Sequence, residues 1–495
     1  MIELVFYLFT VGFASIISIL TIDLLVKSRV SSRSSFSGTI SSLAYLLFIY
    51  LSWRMWSTVQ SSGEASFSAA AGPVSSTVQI SLLGLYIFSI AAVLGLLASV
   101  YSVRYMARYR NAALFHSLIV FLGLNIFGVT VSGDLLTLFI FWEGMSICGY
   151  GLVAFRKTSW EALEASIKYL ILAGVGSLTA LYGIAIVYSV TGTLNLESLS
   201  TLSVAPSPSV LFALGLVVAG FGVEAAIVPL HTWLPDAHPA APSPMSALLS
   251  GIVIEVGSFV IIRIVGGSFL SRDLTAVFQP MFVAFAVLTM IVGNLSAFWQ
   301  DDLKRLLAFS SVAQVGYILV GISTFTAAGI SASVFHIWNH ALLKGLFFLL
   351  AGVVSFTIGT RSLNEMAGIG RKWPVLGLLV SMNALAMTGV PPFGMFWSEF
   401  LVILSAIQTK SGLLYAAGLV MLLNIAFSIG YYFRIIRRVA FDRPSEFLGS
   451  ARVRPASRVM LASCVVLLAL SLVTGFYPDW FYEPALQGVR ALMRS

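Results

Sequence analysis

Charged residues are scarce in this 495-residue sequence. Only 10% of its residues are Asp, Glu, Lys or Arg, whereas a typical soluble domain has roughly 25%. Hydrophobic residues make up 58%, and apolar runs of about 20 residues, the length that crosses a bilayer core, recur along almost the whole chain. The composition predicts a polytopic membrane protein and excludes a soluble catalytic domain between the runs.

Cysteine is almost absent as well. Cys148 and Cys464 both fall inside apolar runs, where buried thiols are expected rather than a disulfide or a metal site. The chain contains no sequence pattern for an iron–sulfur cluster, haem, flavin or nucleotide, so we expect no cofactor in it. The first run, residues 4–25, has no basic region before it and no cleavage pattern after it. We therefore expect it to be a retained helix.

We count about fourteen apolar spans, which begin near residues 4, 38, 78, 112, 134, 162, 209, 243, 277, 306, 331, 373, 413 and 458. The net charge of +8 lies in the loops, which indicates membrane orientation rather than nucleic-acid binding. Basic residues follow the odd-numbered spans: Lys27, Arg29, Arg104, Arg108, Arg156, Lys304, Arg305, Arg361, and the series from Arg434 to Arg458. The positive-inside rule predicts that these loops are cytoplasmic and that both termini face outward. A prokaryotic-type plasma membrane is the expected location.

Proline interrupts two spans, the seventh at Pro229 and the twelfth at Pro391 and Pro392. Spans four to eight and nine to thirteen are two sets of five, and each interruption falls on the fourth member of its set. Because a set of five helices reverses direction across the membrane, this pattern predicts an inverted repeat with discontinuous helices. The predicted units are residues 1–111, 112–270, 271–445 and 446–495. The alternative is a pair of kinks that serve only packing.

Ionisable side chains occur inside several apolar spans. The acidic ones are Glu143, Glu224, Glu255 and Glu399, and a basic series consists of His336, His340 and Lys344. An ionised group in a bilayer is costly, so each is a candidate for an ion pathway. The three basic residues are spaced by four and line one helical face. Because an imidazole takes a proton at one nitrogen and releases it at the other, this face is suited to proton transfer.

Two other functional interpretations of the histidines are weaker, and one histidine has a structural explanation. Two histidines spaced by four resemble half of a zinc site, but no third ligand or HExxH glutamate is evident, so no metal is expected. His231 and Asp236 have an H-x4-D spacing found in some acyltransferases, but no substrate-binding region accompanies them. His116 stands alone in its span, and a structural histidine satisfied by neighbouring helices explains it.

Five motifs resemble one membrane-protein family. They are FWEG at 141–144, PLHTWLPDAHPAAPSPMSALLSG at 229–251, QDDLKRLLAFSSVAQVGY at 300–317, FHIWNHALLKGLFFL at 335–349 and GVPPFGMFWSEF at 389–400. The sequence is similar to the antiporter-like subunits of respiratory complex I, Mrp-type sodium/proton antiporters and membrane-bound hydrogenases. The resemblance implies an all-α fold of fourteen helices, with two inverted five-helix units and broken seventh and twelfth helices. It also implies a mid-membrane axis of charged residues.

The resemblance assigns roles to several residues. Glu143 matches the fifth-helix glutamate of the family, and His336, His340 and Lys344 match its eleventh-helix relay. Glu399 matches the acidic or basic residue of the broken twelfth helix, which faces the outward exit or the next subunit. His231 and Lys304 lie in the matching motifs as supporting residues.

The sequence departs from the family pattern at Glu224 and Glu255, where lysines are expected. Two neighbouring carboxylates hold at least one proton or attract a cation. If Glu143 and Glu224 are close, they are expected to titrate as a coupled pair or to bind Na⁺. Lys168 or Arg263 is expected to offset part of this negative charge, Arg263 because it follows Glu255 by eight residues.

The leading functional hypothesis is a membrane subunit that moves H⁺, with or without exchange for Na⁺, in a complex I-like or hydrogenase-like assembly. The chain would be a non-redox subunit of an oxidoreductase, beside related antiporter-like subunits and a hydrophilic redox module. One alternative is a subunit of an Mrp-type antiporter without a redox partner. Another is a structural subunit of a membrane arm that conducts no ions.

Overall fold

A computed structural model describes residues 1–25, 30–63, 65–71, 74–202, 207–268, 272–450 and 456–493. In these ranges twelve helices are long and apolar enough to cross a membrane. Three shorter apolar helices flank the two proline interruptions: Pro208–Glu224, Pro374–Ala386 and Gly394–Gln408. The expected class, an all-α polytopic membrane protein, is confirmed. Four of the basic loop residues, Lys27, Arg29, Arg452 and Arg454, lie outside the described residues.

The first half of the chain contains eleven α-helices and one hairpin among its described residues. They are α1 (Ile2–Leu25), α2 (Val30–Ser62), β1 (Ala65–Ala71), β2 (Val74–Ile80), α3 (Leu82–Tyr105), α4 (Ala112–Val131), α5 (Leu135–Val153), α6 (Trp160–Thr191), α7 (Leu196–Thr201), α8 (Pro208–Glu224), α9 (Leu234–Ala240), α10 (Ser243–Leu248) and α11 (Ile254–Arg263). A π-helical turn, Leu249–Val253, joins α10 to α11, and a second one, Ile264–Ser268, follows α11.

The second half contains ten α-helices in the part that is described. They are α12 (Arg272–Phe298), α13 (Leu303–Ile322), α14 (Ala327–Ile358), α15 (Ile369–Lys372), α16 (Pro374–Ala386), α17 (Gly394–Gln408), α18 (Gly412–Ile436), α19 (Glu446–Ser450), α20 (Arg458–Phe476) and α21 (Asp479–Leu492). Side-chain caps begin several of them. Asp302 accepts from the Arg305 amide to start α13, and Thr326 accepts from the Gly329 amide to start α14.

The first interruption separates α8 from α9. Glu224 is the last residue of α8, and Pro229 lies in the nine-residue segment before α9 begins. Backbone groups freed inside a membrane need partners. The Trp233 indole nitrogen donates to the Val223 carbonyl at 2.8 Å, and the Val228 amide donates to Thr289 Oγ1 at 3.1 Å. Glu224 therefore sits at a helix end whose neighbouring backbone is held by side chains.

The second interruption separates α16, which ends at Ala386, from α17, which begins at Gly394. Pro391 and Pro392 lie between them, and Glu399 is in the helix that follows. If each interrupted pair is one span, the twelve continuous helices and the two pairs give fourteen. That count, the inverted repeat and the four predicted units stay predictions.

Helix α14 occupies the centre of the molecule. It packs against α13, α17, α20, α10, α21 and α3, and 89% of the residues in its most apolar stretch are buried. In the segment Ser243–Gly267, which includes α10 and α11, every residue of the most apolar stretch is buried. These two segments contain Glu255, His336, His340 and Lys344. All four side chains are therefore buried in the protein interior.

Two elements differ from the sequence-based expectation. Residues 74–80 pair antiparallel with residues 65–71, so the third span begins at Leu82 rather than near residue 78. The polar, β-branched stretch VSSTVQI suits a hairpin, and Arg263 donates to Gln79 in it at 2.9 Å. After α20 the tail forms the amphipathic helix α21. The apolar residues that are buried on it are Ala485, Leu486 and Val489.

Candidate functional site

An acidic cluster lies where α5, α6 and α8 meet. Glu224 is 1% exposed. Its carboxylate accepts a hydrogen bond from the Tyr169 hydroxyl at Oε1 and a weaker one from Ser146 Oγ at Oε2, at 3.4 Å. Glu143 precedes Ser146 by three residues and so lies on the same face of α5, the face that contacts Glu224 through Ser146. The structure thus places Glu143 on the side of α5 that faces Glu224, with the hydroxyls of Tyr169 and Ser146 between the helices.

The Tyr169 ring is held by aromatic packing. It stacks on the Trp233 ring with centroids 3.9 Å apart and planes 9° apart. Trp233 also bonds to the backbone of the first interruption, so its position is tied to the end of α8. This packing aims the Tyr169 hydroxyl at Glu224. Sequence reasoning missed Tyr169, although a tyrosine within an apolar span was an available signal.

Lys168 does not offset the charge of the acidic cluster, contrary to expectation. Its ammonium lies 2.9 Å from both Glu164 and Asp236, and the side chain is 47% exposed. Arg305 contacts the same Asp236 at 3.1 Å. Because Lys168 precedes Tyr169 by one residue, it points about 100° away from it around the helix. It belongs to a surface ion-pair network.

Arg263 does not partner Glu255 either. Eight residues of helix separate the two by about 12 Å along the axis, which is too far for direct contact even on a shared face. Arg263 donates to the Gln79 side chain and, at 3.5 Å, to the Val129 carbonyl. Its position ties the end of α11 to the hairpin rather than to the acidic residues.

Glu255 instead meets His340 in the middle of the protein. Glu255 Oε1 lies 2.7 Å from His340 Nδ1, and both side chains are 0% exposed. The short distance marks an ionic contact if the imidazole is protonated, but its angles are not those of a hydrogen bond. Gly257 packs against Ala225 next to Glu224. Helix α11 therefore runs from the acidic cluster to the central helix α14.

A second set of contacts surrounds His336. Its ring stacks on that of His340 with centroids 6.4 Å apart and planes 18° apart. His336 Nε2 lies 2.8 Å from Gln314 Oε1, and Nδ1 lies 3.0 Å from Ser398 Oγ. Gln314 was missed by sequence reasoning, although it is an amide inside the apolar SSVAQVGY segment. Both ring nitrogens of His336 are thus in hydrogen-bond contact.

Glu399 lies at the second interruption. Its side chain is 4% exposed. Gly389, with a φ of +68°, lies so close that a Cβ there would overlap Glu399 Oε2. A glycine is needed at this position on both grounds. The interruption therefore forms a wall against which the carboxylate of Glu399 rests.

Lys344 completes the series on α14. Its ammonium donates to the Leu307 carbonyl at 3.2 Å and to Ser310 Oγ. Tyr432 donates to the same Ser310 at 3.3 Å, and its ring centroid lies 6.0 Å from the Lys344 nitrogen. These contacts place the amine between α13 and α18, one helical turn from His340.

Lys304 and His238 lie beyond Lys344. Lys304 Nζ donates to the Ala241 carbonyl at 2.8 Å, to Ser246 Oγ at 3.2 Å and to the His238 carbonyl at 3.4 Å. The His238 ring stacks on Phe348 at 4.3 Å and 13°. Neither of its nitrogens has a hydrogen-bond partner in the described part of the chain.

His231 stands apart from these contacts. It is half-buried, and its ring lies 6.4 Å from that of Phe309. No contact joins it to the acidic cluster or to α14 in the described residues, so its supporting role stays a prediction. Among those same residues no three His, Cys, Asp or Glu side chains are placed to hold a metal ion.

A polar cavity of about 860 Å³ reaches Lys304 from the end of α9. Arg156 donates to the Ala240 carbonyl at 2.6 Å, and Arg361 pairs with Glu161 at 3.0 Å and with Asp302 at 2.9 Å. The cavity wall includes Arg156, Glu161, Asp302, Lys304 and Arg361. Three basic residues from three different odd-numbered loops therefore meet on one side of the protein.

The fold and the site define a class: a helical membrane protein with interrupted helices and a row of buried proton-accepting side chains. The chain belongs to the family described as "NADH:quinone oxidoreductase/Mrp antiporter, TM", which matches residues 132–424. The resemblance inferred from the motifs is confirmed.

Among curated relatives, the F(420)H(2) dehydrogenase subunit N of Methanosarcina mazei is 28% identical, and the match covers 92% of each chain. The NADH-quinone oxidoreductase subunit N of Trichlorobacter lovleyi is 30% identical over 90% of this chain and 91% of the relative. Among solved structures, the match to the membrane-bound sulfane sulfur reductase, an archaeal respiratory membrane complex, has a TM-score of 0.88 and 28% identity. It covers 99% of this chain and 97% of that one.

The Mrp complex of a Dietzia species has a TM-score of 0.87 with 21% identity, over 98% and 97% of the two chains, and is informative for the fold alone.

Proposed function

We propose that this chain is a membrane subunit that translocates protons within a multisubunit, complex I-like respiratory assembly. The relatives named as dehydrogenase and oxidoreductase subunits support this assignment. The observation that carries it is the row of buried groups that runs from the acidic cluster through α11 and α14 to the second interruption. Its buried members are Glu224, Glu255, His340, His336 and Glu399, with Lys344 beside them, and the half-buried Glu143 lies at its start.

The Glu255–His340 pair is the contact in this row that packing alone does not explain. Buried ionisable groups are costly in a membrane and are kept mainly where they serve a pathway. Neither side chain has another polar partner in the described residues. An imidazole gains and loses protons near neutral pH, and a carboxylate 2.7 Å from it can exchange a proton with it.

The cavity at Lys304 is the proposed inlet to the row. Arg156, Lys304 and Arg361 come from loops that the positive-inside rule assigns to the cytoplasm. The cavity side is thus proposed to be cytoplasmic, with both termini outside a prokaryotic plasma membrane. A Ser355→Cys variant tests this orientation, because Ser355 lines the cavity. A membrane-impermeant thiol reagent is expected to label it from the cytoplasmic side only, and labelling from outside would reverse the orientation.

The proposed partners are related antiporter-like subunits and a hydrophilic module that carries the redox centres. This chain is then a subunit without redox chemistry of its own. Na⁺ is a second candidate ion, because the acidic cluster contains four oxygen-bearing side chains, Glu143, Glu224, Tyr169 and Ser146. A sodium role predicts that transport depends on Na⁺ concentration at fixed pH, whereas a proton-only role predicts no such dependence.

The decisive experiment reconstitutes the assembled complex in vesicles and follows internal pH and Na⁺. Glu224→Gln and Glu399→Gln keep the shape of each side chain but remove its exchangeable proton. Both variants are expected to reduce ion movement strongly while the complex still assembles. Unchanged movement of both ions in both variants would favour the non-conducting structural subunit instead.

The Mrp-type alternative stays open because the family description names Mrp antiporters beside NADH:quinone oxidoreductases. It is separated from the leading proposal by the proteins that copurify from native membranes. Hydrophilic iron–sulfur or flavin subunits are expected if the chain belongs to a respiratory complex. Copurification with antiporter subunits alone would support the Mrp-type assignment.

A further inference from the structure

Gln314 lies beside His336, in the second half of the row. Its side chain is 1% exposed, and its Oε1 is 2.8 Å from His336 Nε2. The amide comes from a helix, α13, that contributes no other group to this contact.

The chemistry of the amide determines where the hydrogen of His336 lies. An amide oxygen only accepts hydrogen bonds, whereas the amide NH₂ only donates. With Oε1 facing His336, the hydrogen must be on Nε2. The ring nitrogen on the other side, Nδ1, is then bare in the neutral imidazole and faces Ser398 Oγ at 3.0 Å.

Ser398 can follow either state of that nitrogen. Its single hydroxyl hydrogen has two acceptors, His336 Nδ1 and the Met395 carbonyl, each 3.0 Å away. When Nδ1 is bare, the hydroxyl donates to it. When Nδ1 is protonated, the hydroxyl turns to Met395 and accepts from the ring. Gln314 has no comparable freedom, because an amide oxygen does not take up a proton under these conditions.

We propose that Gln314 is a positioning residue that holds the hydrogen of His336 on Nε2, so that His336 exchanges protons only through Nδ1 on the Ser398 side while this bond lasts. A proton gained at Nδ1 leaves the ring as an imidazolium with a hydrogen on both nitrogens. The same proton returns through Nδ1, and release from Nε2 requires the bond to Gln314 to break. This inference rests on the proposed function, since it names the ring nitrogen through which one group of the row exchanges protons.

The test uses the full chain, labelled with ¹⁵N-histidine and reconstituted in lipid. The sequence contains only five histidines, and the signals of His336 are assigned by their loss in His336→Gln. Protonated and bare ring nitrogens give well-separated ¹⁵N signals. In the wild type the expected state is a protonated Nε2 and a bare Nδ1.

Two variants separate the acceptor from the rest of the side chain. Gln314→Met keeps the length of the side chain but removes the hydrogen bond to His336, so the hydrogen of His336 is expected to distribute over both nitrogens. Gln314→Glu keeps an oxygen acceptor, so the hydrogen is expected to remain on Nε2. If Gln314→Met does not fold, the Gln314→Glu spectrum still decides, because a hydrogen moved to Nδ1 there would overturn the proposal.

The matched control is Asn383→Leu. Asn383 is an equally buried amide that donates to the Leu343 carbonyl of the same helix α14 at 3.1 Å, outside the row. It is expected to leave the His336 spectrum unchanged. An unchanged His336 spectrum in Gln314→Met, or the same change in the control, would overturn the assignment.

Transport gives the second measurement. Loss of the partner that orients a catalytic histidine costs up to about 10⁴-fold in serine proteases, and a loss of at least about tenfold is expected here for Gln314→Met in the reconstituted complex. If the wild-type complex moves no protons, the proposed function fails. The ¹⁵N result still stands or falls on its own.

Discussion

The contact between Gly389 and Glu399 allows a prediction that separates backbone strain from loss of function. Gly389 has a φ of +68°, and Glu399 Oε2 lies where a Cβ would be. A left-handed conformation costs a non-glycine residue about 1–2 kcal/mol. In Gly389→Ala the new methyl group also displaces the carboxylate of Glu399 by about an ångström. A misplacement of this size costs a catalytic group about a hundredfold in rate.

Gly359 provides the matched control. It ends α14 with a φ of +84°, and a Cβ there would meet no atom within 4 Å. Gly359→Ala therefore has the same backbone cost of about 1–2 kcal/mol without touching the row. We expect both variants to lower the unfolding temperature of the purified complex by similar amounts.

The assay is proton movement into vesicles that contain the reconstituted complex, with Glu399→Gln as the reference for loss of this group. Gly389→Ala is expected to fall to the level of Glu399→Gln, and Gly359→Ala to retain the wild-type rate. Equal rates in the two alanine variants would refute the argument that the wall formed by Gly389 positions Glu399.

Three further predictions concern groups around the row. Lys168→Met is expected to leave both transport and unfolding temperature unchanged, because exposed ion pairs contribute little; a loss of transport would return Lys168 to the pathway. Gln79→Leu removes an acceptor from the buried guanidinium of Arg263 and is expected to destabilise the chain by about 1.5–3 kcal/mol in thermal unfolding. Trp233→Phe keeps an aromatic ring but removes the indole donor, so the Val223 carbonyl keeps only the Ala226 amide, at a cost of about 0.5–1.5 kcal/mol; an unchanged unfolding temperature would contradict that role.

Much of the fold was predictable because the bilayer imposes a strong pattern on the sequence. Long apolar runs predicted the membrane helices, and proline marked the segments where α8 and α16 end. The hairpin was missed because its second strand, VSSTVQI, merges into the apolar run of α3. Helix α21 was missed because it is amphipathic and lies outside any apolar run, so hydropathy alone did not indicate it.

The candidate site was predictable in its residue types but not in its contacts. Spacing by four placed His336, His340 and Lys344 on one helical face, a local property of the sequence. The partner of Glu255 is His340, 85 residues away, and no local rule links the two. The predicted partner, Arg263, was chosen by sequence spacing, which ignores the distance along the helix axis.

Lys168 shows the same limit for charge. A lysine near the start of an apolar span can turn to the protein interior or to the surface, and the choice depends on where the nearest carboxylates are. Asp236, which holds it at the surface, is on a segment that becomes its neighbour only after the first interruption folds back. Gln314 and Tyr169 were missed for a related reason: an uncharged polar residue in a span gains a role only from its neighbours.

The continuity of the row through the Glu255–His340 contact is the central claim, and one measurement tests it most directly. Proton movement is followed in vesicles that contain the complex with Glu255→Gln, a change that keeps the side-chain shape and leaves Glu224 and Glu399 intact. If protons cross the protein through this contact, the rate falls as far as it does in Glu399→Gln. A wild-type rate in Glu255→Gln would contradict a continuous row.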